Sequence, residues 1–295
     1  MAKYLLRPVT TKYWKPRENF LKEIAVAVEN LVEDGDFMTV SEKALSTALG
    51  NIVNEEHVKP GVLAHLIAKY WMRIAWGYFL GIMCHLYKRT VQRLREYPIV
   101  EGSRHKQVAL HHAGFLSALM HGSEGGIDGS NLPYSYVSLP LPNAQKTAEK
   151  IRSYIKRKTG KNICVIIVDT DKTYSFLNFH FTPRPTSVKG IHLFGGVIAY
   201  LVGRFLRLKR RATPIAVAGC QLDAEEALHI AEISNRARGV GAGETVWDMA
   251  DKFEVELTGV SWEMLEKVKH KPLVVVRRKK GGQIEKPCSA NGYFL

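Results

Sequence analysis

The chain has 295 residues, 42 Lys and Arg against 28 Asp and Glu, a formal net charge of +14, and 46% apolar residues. This is a globular composition with material for an ample core, and it excludes a disordered acidic chain, a collagen-like fibre and a disulfide-dense mini-protein. The isoelectric point near 9.6 attracts phosphate, whether in RNA, anionic lipid, a nucleotide or a phosphorylated metabolite, and alone it names none of them.

In chain order, Met1 to Pro8 has no long apolar stretch, so a secretory leader is not expected. Glu18 to Leu31 places Phe20, Leu21, Ile24, Val28 and Leu31 at helical spacing. Asp34-Gly35-Asp36 reads as a turn, Phe37 to Val40 as a short buried strand, and residues 41–47 as a loop ending in a second turn at Gly50-Asn51. Pro60 starts a long helical stretch to about Tyr97, with breaks expected at Gly77 and Gly81. His121 to Asn131, rich in glycine, is too polar and flexible for a regular element.

Asn143 to Thr159 is a helix with Ala148, Ile151 and Ile155 inward, a cationic outer face and Gly160 as its cap. Cys164 to Val168 is a continuous apolar run of the kind buried on both faces of a sheet, ending in Asp169-Thr170-Asp171. Thr213 to Gly219 and Pro272 to Val276 are further strands, with a helix over Asp223 to Arg238 between them. Helices and strands without strict alternation predict an α+β fold. Residues 1–278 form one unit, or two intimately joined subdomains, and residues 279–295 a basic tail.

Ile74 to Tyr87 and Gly190 to Gly203 carry no Asp, Glu, Lys or Arg. Each is too short for a spanning helix, which needs about twenty apolar residues. They are expected to be buried helices, with membrane contact unexpected. The second runs into the cationic cluster Arg204 to Arg211, which is suited to anionic lipid or RNA, or simply to solvent. Cys84, Cys164, Cys220 and Cys288 form no C-x-x-C pair and read as buried thiols in a reducing compartment, hence a cytoplasmic protein.

Two acidic loops are the sharpest chemical feature. Asp128 sits in Gly-Gly-Ile-Asp-Gly-Ser-Asn, where glycines let backbone approach a ligand closely. Asp169 follows a buried strand, a position where ligands bind at sheet edges. Together with the Thr170 hydroxyl they suit Mg²⁺ or Mn²⁺ against nucleotide phosphates. Equally, Asp128 can stabilise its own turn and Asp169 cap the next element. No P-loop, H-E-x-x-H or G-x-S-x-G pattern occurs, and Gly239-Val240-Gly241-Ala242-Gly243 follows a helix, which does not support a Rossmann fingerprint.

Asp34-Gly35-Asp36 with Ser46-x-Ala48-x-Gly50-Asn51-Ile52 resembles the DGD…VVSKAEGxI opening of the coenzyme F-420 γ-glutamyl ligases. His121-Gly122 and Gly126-Ile127-Asp128-x-Ser130-Asn131 resemble their HGxVxxNAGID-x-SN loop, and Val165 to Thr170 their VVISDT. Ile215 to Gly219 and Pro272 to Arg277 are similar to the family's later strands. The resemblance implies a homodimeric ligase in which GTP and a divalent metal drive attachment of glutamate to a deazaflavin coenzyme precursor through an acyl phosphate. It assigns metal to Asp128, Asp169 and Thr170, the nucleotide to Asn131, and the phosphate-binding segment to Ser46 and its neighbours. Thr47 stands where the family has Lys, and Leu49 where it has Glu; Lys43, a helical turn earlier, is the replacement cation. The family's MGQ element has no counterpart near Arg238-Gly239, and residues 172–211 form an insertion. The alternative from a different class is a diverged paralogue that binds RNA or an RNA-containing assembly through its basic patches.

Overall fold

The computed structural model describes residues 4–122 and 124–279. Strand β1 (Tyr4–Thr11) precedes helix α1 (Phe20–Val28), capped by the Asn19 carboxamide on the Lys22 amide. Strand β2 (Phe37–Ser41) leads directly into α2 (Glu42–Ala48), so the loop expected over residues 41–47 is a helix. Strand β3 (Ile52–Asn54) and a single 3-10 turn (Glu55–His57) follow.

A continuous helical rod comes next, made of α3 (Val62–Leu66), a π-helical stretch (Ile67–Leu80) and α4 (Gly81–Met83). It stops at Cys84–Tyr87 rather than at the glycines. Gly81 lies inside it because a Cβ there would sit 2.5 Å from the Trp76 carbonyl, so that glycine serves close packing and not a break. Then follow α5 (Lys88–Arg95), α6 (Ile99–His112), α7 (Phe115–Ala118), β4 (Tyr136–Ser138) and α8 (Ala144–Thr159), which ends at Gly160 with φ 74° as expected. The chain closes with β5 (Cys164–Phe176), β6 (Phe179–Thr182), β7 (Ile191–Leu193), α9 (Gly196–Phe205), β8 (Lys209–Ala218), α10 (Ala224–Arg238), α11 (Val246–Phe253), α12 (Trp262–Glu266) and β9 (His270–Arg278).

The α+β expectation holds. Seven strands form one mixed sheet in the order β1-β9-β2-β5-β6-β7, with β8 also paired to β5. The β2–β5 and β6–β7 pairs are parallel and the other pairs antiparallel. Successive residues of a strand face opposite sides of a sheet. Val165 and Ile167 therefore pack beneath α1 and α8 with Ile24, Val28, Ile151 and Ile155. Cys164, Ile166 and Val168 pack against Ile230 and Ala231 of α10 on the other side. A second core, around Ile67, Met72, Trp76, Leu94 and Val108, holds the helical half together.

Three expectations change here. The β5 strand does not end at Asp169 but continues to Phe176, with a bulge between Asp169 and Lys172 against β8. Cys164 and Cys220 are not separate thiols: the antiparallel pairing of Val165 with Ala218 brings their chain segments together, and they form a disulfide. That pair gives no support to the reducing-compartment reading, while Cys84 is a buried free thiol as expected. The apolar segments near 74–87 and 190–203 are only half buried, with Phe79 62%, Ile82 57% and Leu193 59% exposed. Their other faces supply the helical core. Among the described residues no helix is long and apolar enough to cross a membrane. The expected basic tail lies, apart from Lys279, outside the described residues.

Candidate functional site

A cavity of about 710 Å³ separates the C-terminal half of β5 and the start of α2 from the helical half, with the Gly239–Gly243 loop along its wall. Asp128, Asn131, Asp169, Thr170 and Lys43 all line it. The two acidic loops, 41 positions apart in the chain, thus open onto one space.

Each carboxylate is oriented by backbone and paired with a cation. Asp128 accepts the Ser130 amide on Oδ1 at 2.7 Å, closing a tight turn, and its Oδ2 pairs with the Lys43 ammonium. The turn is braced by a bridge in which Asp128 and Ser138 exchange backbone hydrogen bonds. Lys43 also donates to the Ser130 carbonyl at 2.9 Å and to its hydroxyl at 2.6 Å, so it ties α2 to the glycine-rich loop. Asp169 accepts the Thr170 amide on Oδ1 at 2.7 Å, and its Oδ2 pairs with Arg184. The expected turn role of Asp128 is therefore filled, whereas Asp169 caps no element because β5 runs on through it, and both residues line the cavity.

Arg184 is the residue that sequence reasoning missed. Its guanidinium, 3% exposed, forks onto Glu42 at 2.6 and 2.7 Å while also binding Asp169. It presses so closely on the acidic loop that a Cβ at Gly126, where φ is +98°, would lie 2.3 Å from a guanidinium nitrogen. Burial favours the protonated form of Glu42 and raises its pKa, an effect that Arg184 opposes. For Asp169 burial pushes the same way, but Arg184 and Lys43 outweigh it and hold the carboxyl below its ordinary range. The signal was present in Pro183-Arg184-Pro185, a cation fixed between two prolines within an acid-free segment.

Ser46 lies elsewhere. Helical periodicity puts Lys43 and Thr47 on the cavity side of α2, whereas Ser46 turns inward, fully buried, and is not a lining residue. The Thr47 hydroxyl bonds back to the Lys43 carbonyl at 2.9 Å. Asn131 reaches the cavity, but its carboxamide clamps the glycine loop, accepting the Ala242 amide at 2.6 Å and donating to the Gly243 carbonyl at 2.9 Å. The Tyr13 hydroxyl in turn donates to the Asn131 carbonyl. Next to this loop Arg238 donates to the Asn235 carboxamide oxygen at 2.8 Å. Burial lowers its pKa, an effect opposed by the fields of Asp169 and Asp128, so this guanidinium lies within electrostatic reach of both carboxylates.

The opposite wall carries a second charged cluster, also unseen in the sequence. Glu124, 3% exposed, accepts from the fully buried Lys106 at 2.6 Å and lies 3.4 Å from His105 Nε2, while His105 Nδ1 meets Glu55 at 2.6 Å. Burial disfavours the imidazolium, but the two carboxylates outweigh it and push the His105 pKa up to about 10. Nearby His121, boxed by Trp76 and bonded to the Tyr200 hydroxyl at 2.7 Å, goes the other way, down to about 4 through burial.

Comparison with known proteins adds to this geometry. A family model described as F420-0:Gamma-glutamyl ligase matches residues 8–251. An uncharacterized protein of Methanocaldococcus jannaschii is 37% identical over 286 residues, covering 92% of this chain and 96% of that one. The coenzyme F420:L-glutamate ligase of Methanothermobacter thermautotrophicus is 29% identical over 141 residues, 46% of this chain and 48% of that protein. The ligase of the same name from M. jannaschii is 27% identical over 139 residues, again about half of each.

Proposed function

Because the chain belongs to the F420-0:gamma-glutamyl ligase family, we propose that it is a ligase that joins glutamate to an acidic acceptor through an amide, driven by GTP with Mg²⁺ or Mn²⁺. The acceptor is a deazaflavin coenzyme precursor or a related anionic metabolite. The observation that carries this reading is the convergence of Asp128 and Asp169 on one cavity already furnished with Lys43 and Arg238.

The donor chemistry fits a cation that arrives with the nucleotide. Among the described residues each carboxylate oxygen of Asp128 and Asp169 has one polar partner and a second lone pair to offer. Thr170 adds a hydroxyl at the cavity wall. Among the described residues no group of three or more His, Cys, Asp and Glu is placed to hold a metal. Mg²⁺ commonly binds in this manner, through one or two carboxylates with phosphate and water completing its shell. When bound, the ion offsets charge on the phosphate oxygens.

The chain's own residues perform the remaining work. Lys43, on the first turn of α2, and Arg238 face the polyphosphate with fixed positive charge, the arrangement that phosphoryl transfer requires. The glycine loop, held by Asn131, offers backbone N–H groups to the phosphates. The acceptor's carboxylate oxygen attacks the γ-phosphorus, GDP leaves, and an acyl phosphate results. The glutamate amine then attacks the acyl carbon, inorganic phosphate departs, and the amine proton passes to solvent. Arg184 acts indirectly, positioning Asp169 and Glu42.

The test is phosphate release from GTP, measured with and without glutamate over a panel of carboxylate acceptors. Release that needs both glutamate and acceptor supports the reading. Release that ignores glutamate, or none with any anionic acceptor, removes it.

A further inference from the structure

The helical rod and α9 present an apolar surface that the ligase reading does not use. Along the rod Leu66, Tyr70, Ile74, Tyr78, Phe79 and Ile82 are 45–62% exposed, while Ala64, Ala68, Met72 and Trp76 face the core. Helix α9 lies beside it. Trp76 and Tyr200 are in edge contact at 5.6 Å, Arg204 donates to the Cys84 carbonyl at 3.0 Å, and Arg207 bonds His85 at 3.1 Å. At that junction Met83 and Tyr87 are 49% and 86% exposed, and Phe205 and Leu206 57% and 58%. The β5–β6 turn, with Phe176 61% and Leu177 83% exposed, adjoins them, because Ser175 pairs with Lys209. Soluble monomers rarely expose apolar patches beyond a few hundred Å² without a use for them.

The charge around this patch selects the occupant. Residues 57–95 and 172–222, which supply nearly all of it, contain 7 and 8 Lys plus Arg and no Asp or Glu. Arg89, Arg93, Lys172, Arg184, Lys209 and Arg211 pair with carboxylates of other segments, and Lys69, Lys88, Arg204 and Arg207 are the cations beside the apolar side chains. A symmetric second copy would set Lys69, Lys88, Arg204 and Arg207 against their own equivalents, and these two segments supply no carboxylate to pair them. RNA would satisfy the cations and leave the aliphatic and aromatic tips in water. An anionic lipid surface satisfies both, taking the apolar side chains at the headgroup–acyl boundary and the cations at the phosphates. Since no described helix is long and apolar enough to span, the contact is peripheral.

We propose that this face, centred on the junction of Ile82–Tyr87 with Phe205–Arg207, docks the protein on an anionic bilayer surface. The proposal stands independently of the ligase reading, because none of these residues binds the nucleotide in it.

The experiment is flotation of the full chain with vesicles of phosphatidylcholine alone or mixed equally with phosphatidylglycerol, alongside light scattering of the free protein. The expected result is co-flotation with the mixed vesicles only, weakened by salt. Phe79→Asp with Ile82→Asp should abolish it. Lys69→Gln and Lys88→Gln should each weaken it about fivefold, the effect of one surface cation near anionic lipid. Circular dichroism reports folding, and the Lys variants, which leave the apolar side chains intact, decide the matter if the Asp pair unfolds the chain. Absence from the mixed vesicles overturns the proposal. So does flotation unaffected by the Lys variants, or a dimer in free solution that Phe79→Asp dissociates, which would make a second copy the occupant.

Discussion

The two walls of the cavity solve the same electrostatic problem in opposite settings. On the sheet side, Glu42 and Asp169 share one guanidinium, Arg184, and Asp169 keeps a face toward the cavity. On the helical side, Lys106, Glu124, His105 and Glu55 form a chain of alternating charge whose inner end is sealed by packing. The sheet-side cluster hangs on strand ends and a glycine loop, where a ligand can exchange for an internal partner. The helical-side cluster ties α6, which carries His105 and Lys106, to Glu55 on the 3-10 turn and to Glu124 on the glycine-rich loop, and its alternation leaves little net charge for a ligand to answer. Buried pairs are costly to break because removing one partner strands the other. The first cluster is thus arranged for binding and the second for holding the wall in place.

The comparison is broken most severely by removing its anchors. Arg184→Met strands two buried carboxylates and should cost about 4 kcal/mol of stability, with Lys106→Met about 3 kcal/mol, both read by chemical denaturation. If Arg184→Met is nearly neutral, Asp169 and Glu42 are not held as described. The helical cluster also has a pH signature. The folded state raises the His105 pKa to about 10, so its stabilisation is complete below the ordinary histidine value and is lost as pH rises through 10. Denaturation curves from pH 7 to 11 should show that loss, and His105→Gln should flatten it. The smallest effect belongs to the loop clamp. Asn131→Ala removes bonds to residues 242 and 243 and should cost about 1 kcal/mol, with faster amide hydrogen exchange confined to residues 239–243.

These walls also differ in what the sequence disclosed. Apolar runs and helix signals carried the sheet half: Cys164 to Val168, the Asn143–Gly160 helix and the Asp223-capped α10 all stand where periodicity and capping put them. The β5 extension did not show, because Thr170 to Ser175 is polar. It is a strand through its ladder with β8 and through internal bonds such as Thr173 to Thr213 at 2.9 Å, which no local pattern encodes. The two acidic loops were legible as residues, and their shared cavity only through a family likeness. Arg184 was marked only by its flanking prolines, and its pairing with Glu42, like the Lys106–Glu124 network, was invisible, since each joins partners whose meeting depends on the packed fold. Ser46 was misplaced by one helical step, the error made when a helix is read as a loop.

The central claim is that Asp128 and Asp169 act together on one phosphate-bearing ligand. Isothermal titration of GTP with Mn²⁺ tests it most directly, using the wild-type chain, Asp128→Asn and Asp169→Asn. The account predicts binding by the wild type, weakened at least about tenfold by either substitution, with the double variant little worse than each alone, since two groups on one ion couple strongly. Absence of wild-type binding, or binding that neither substitution changes, would contradict it.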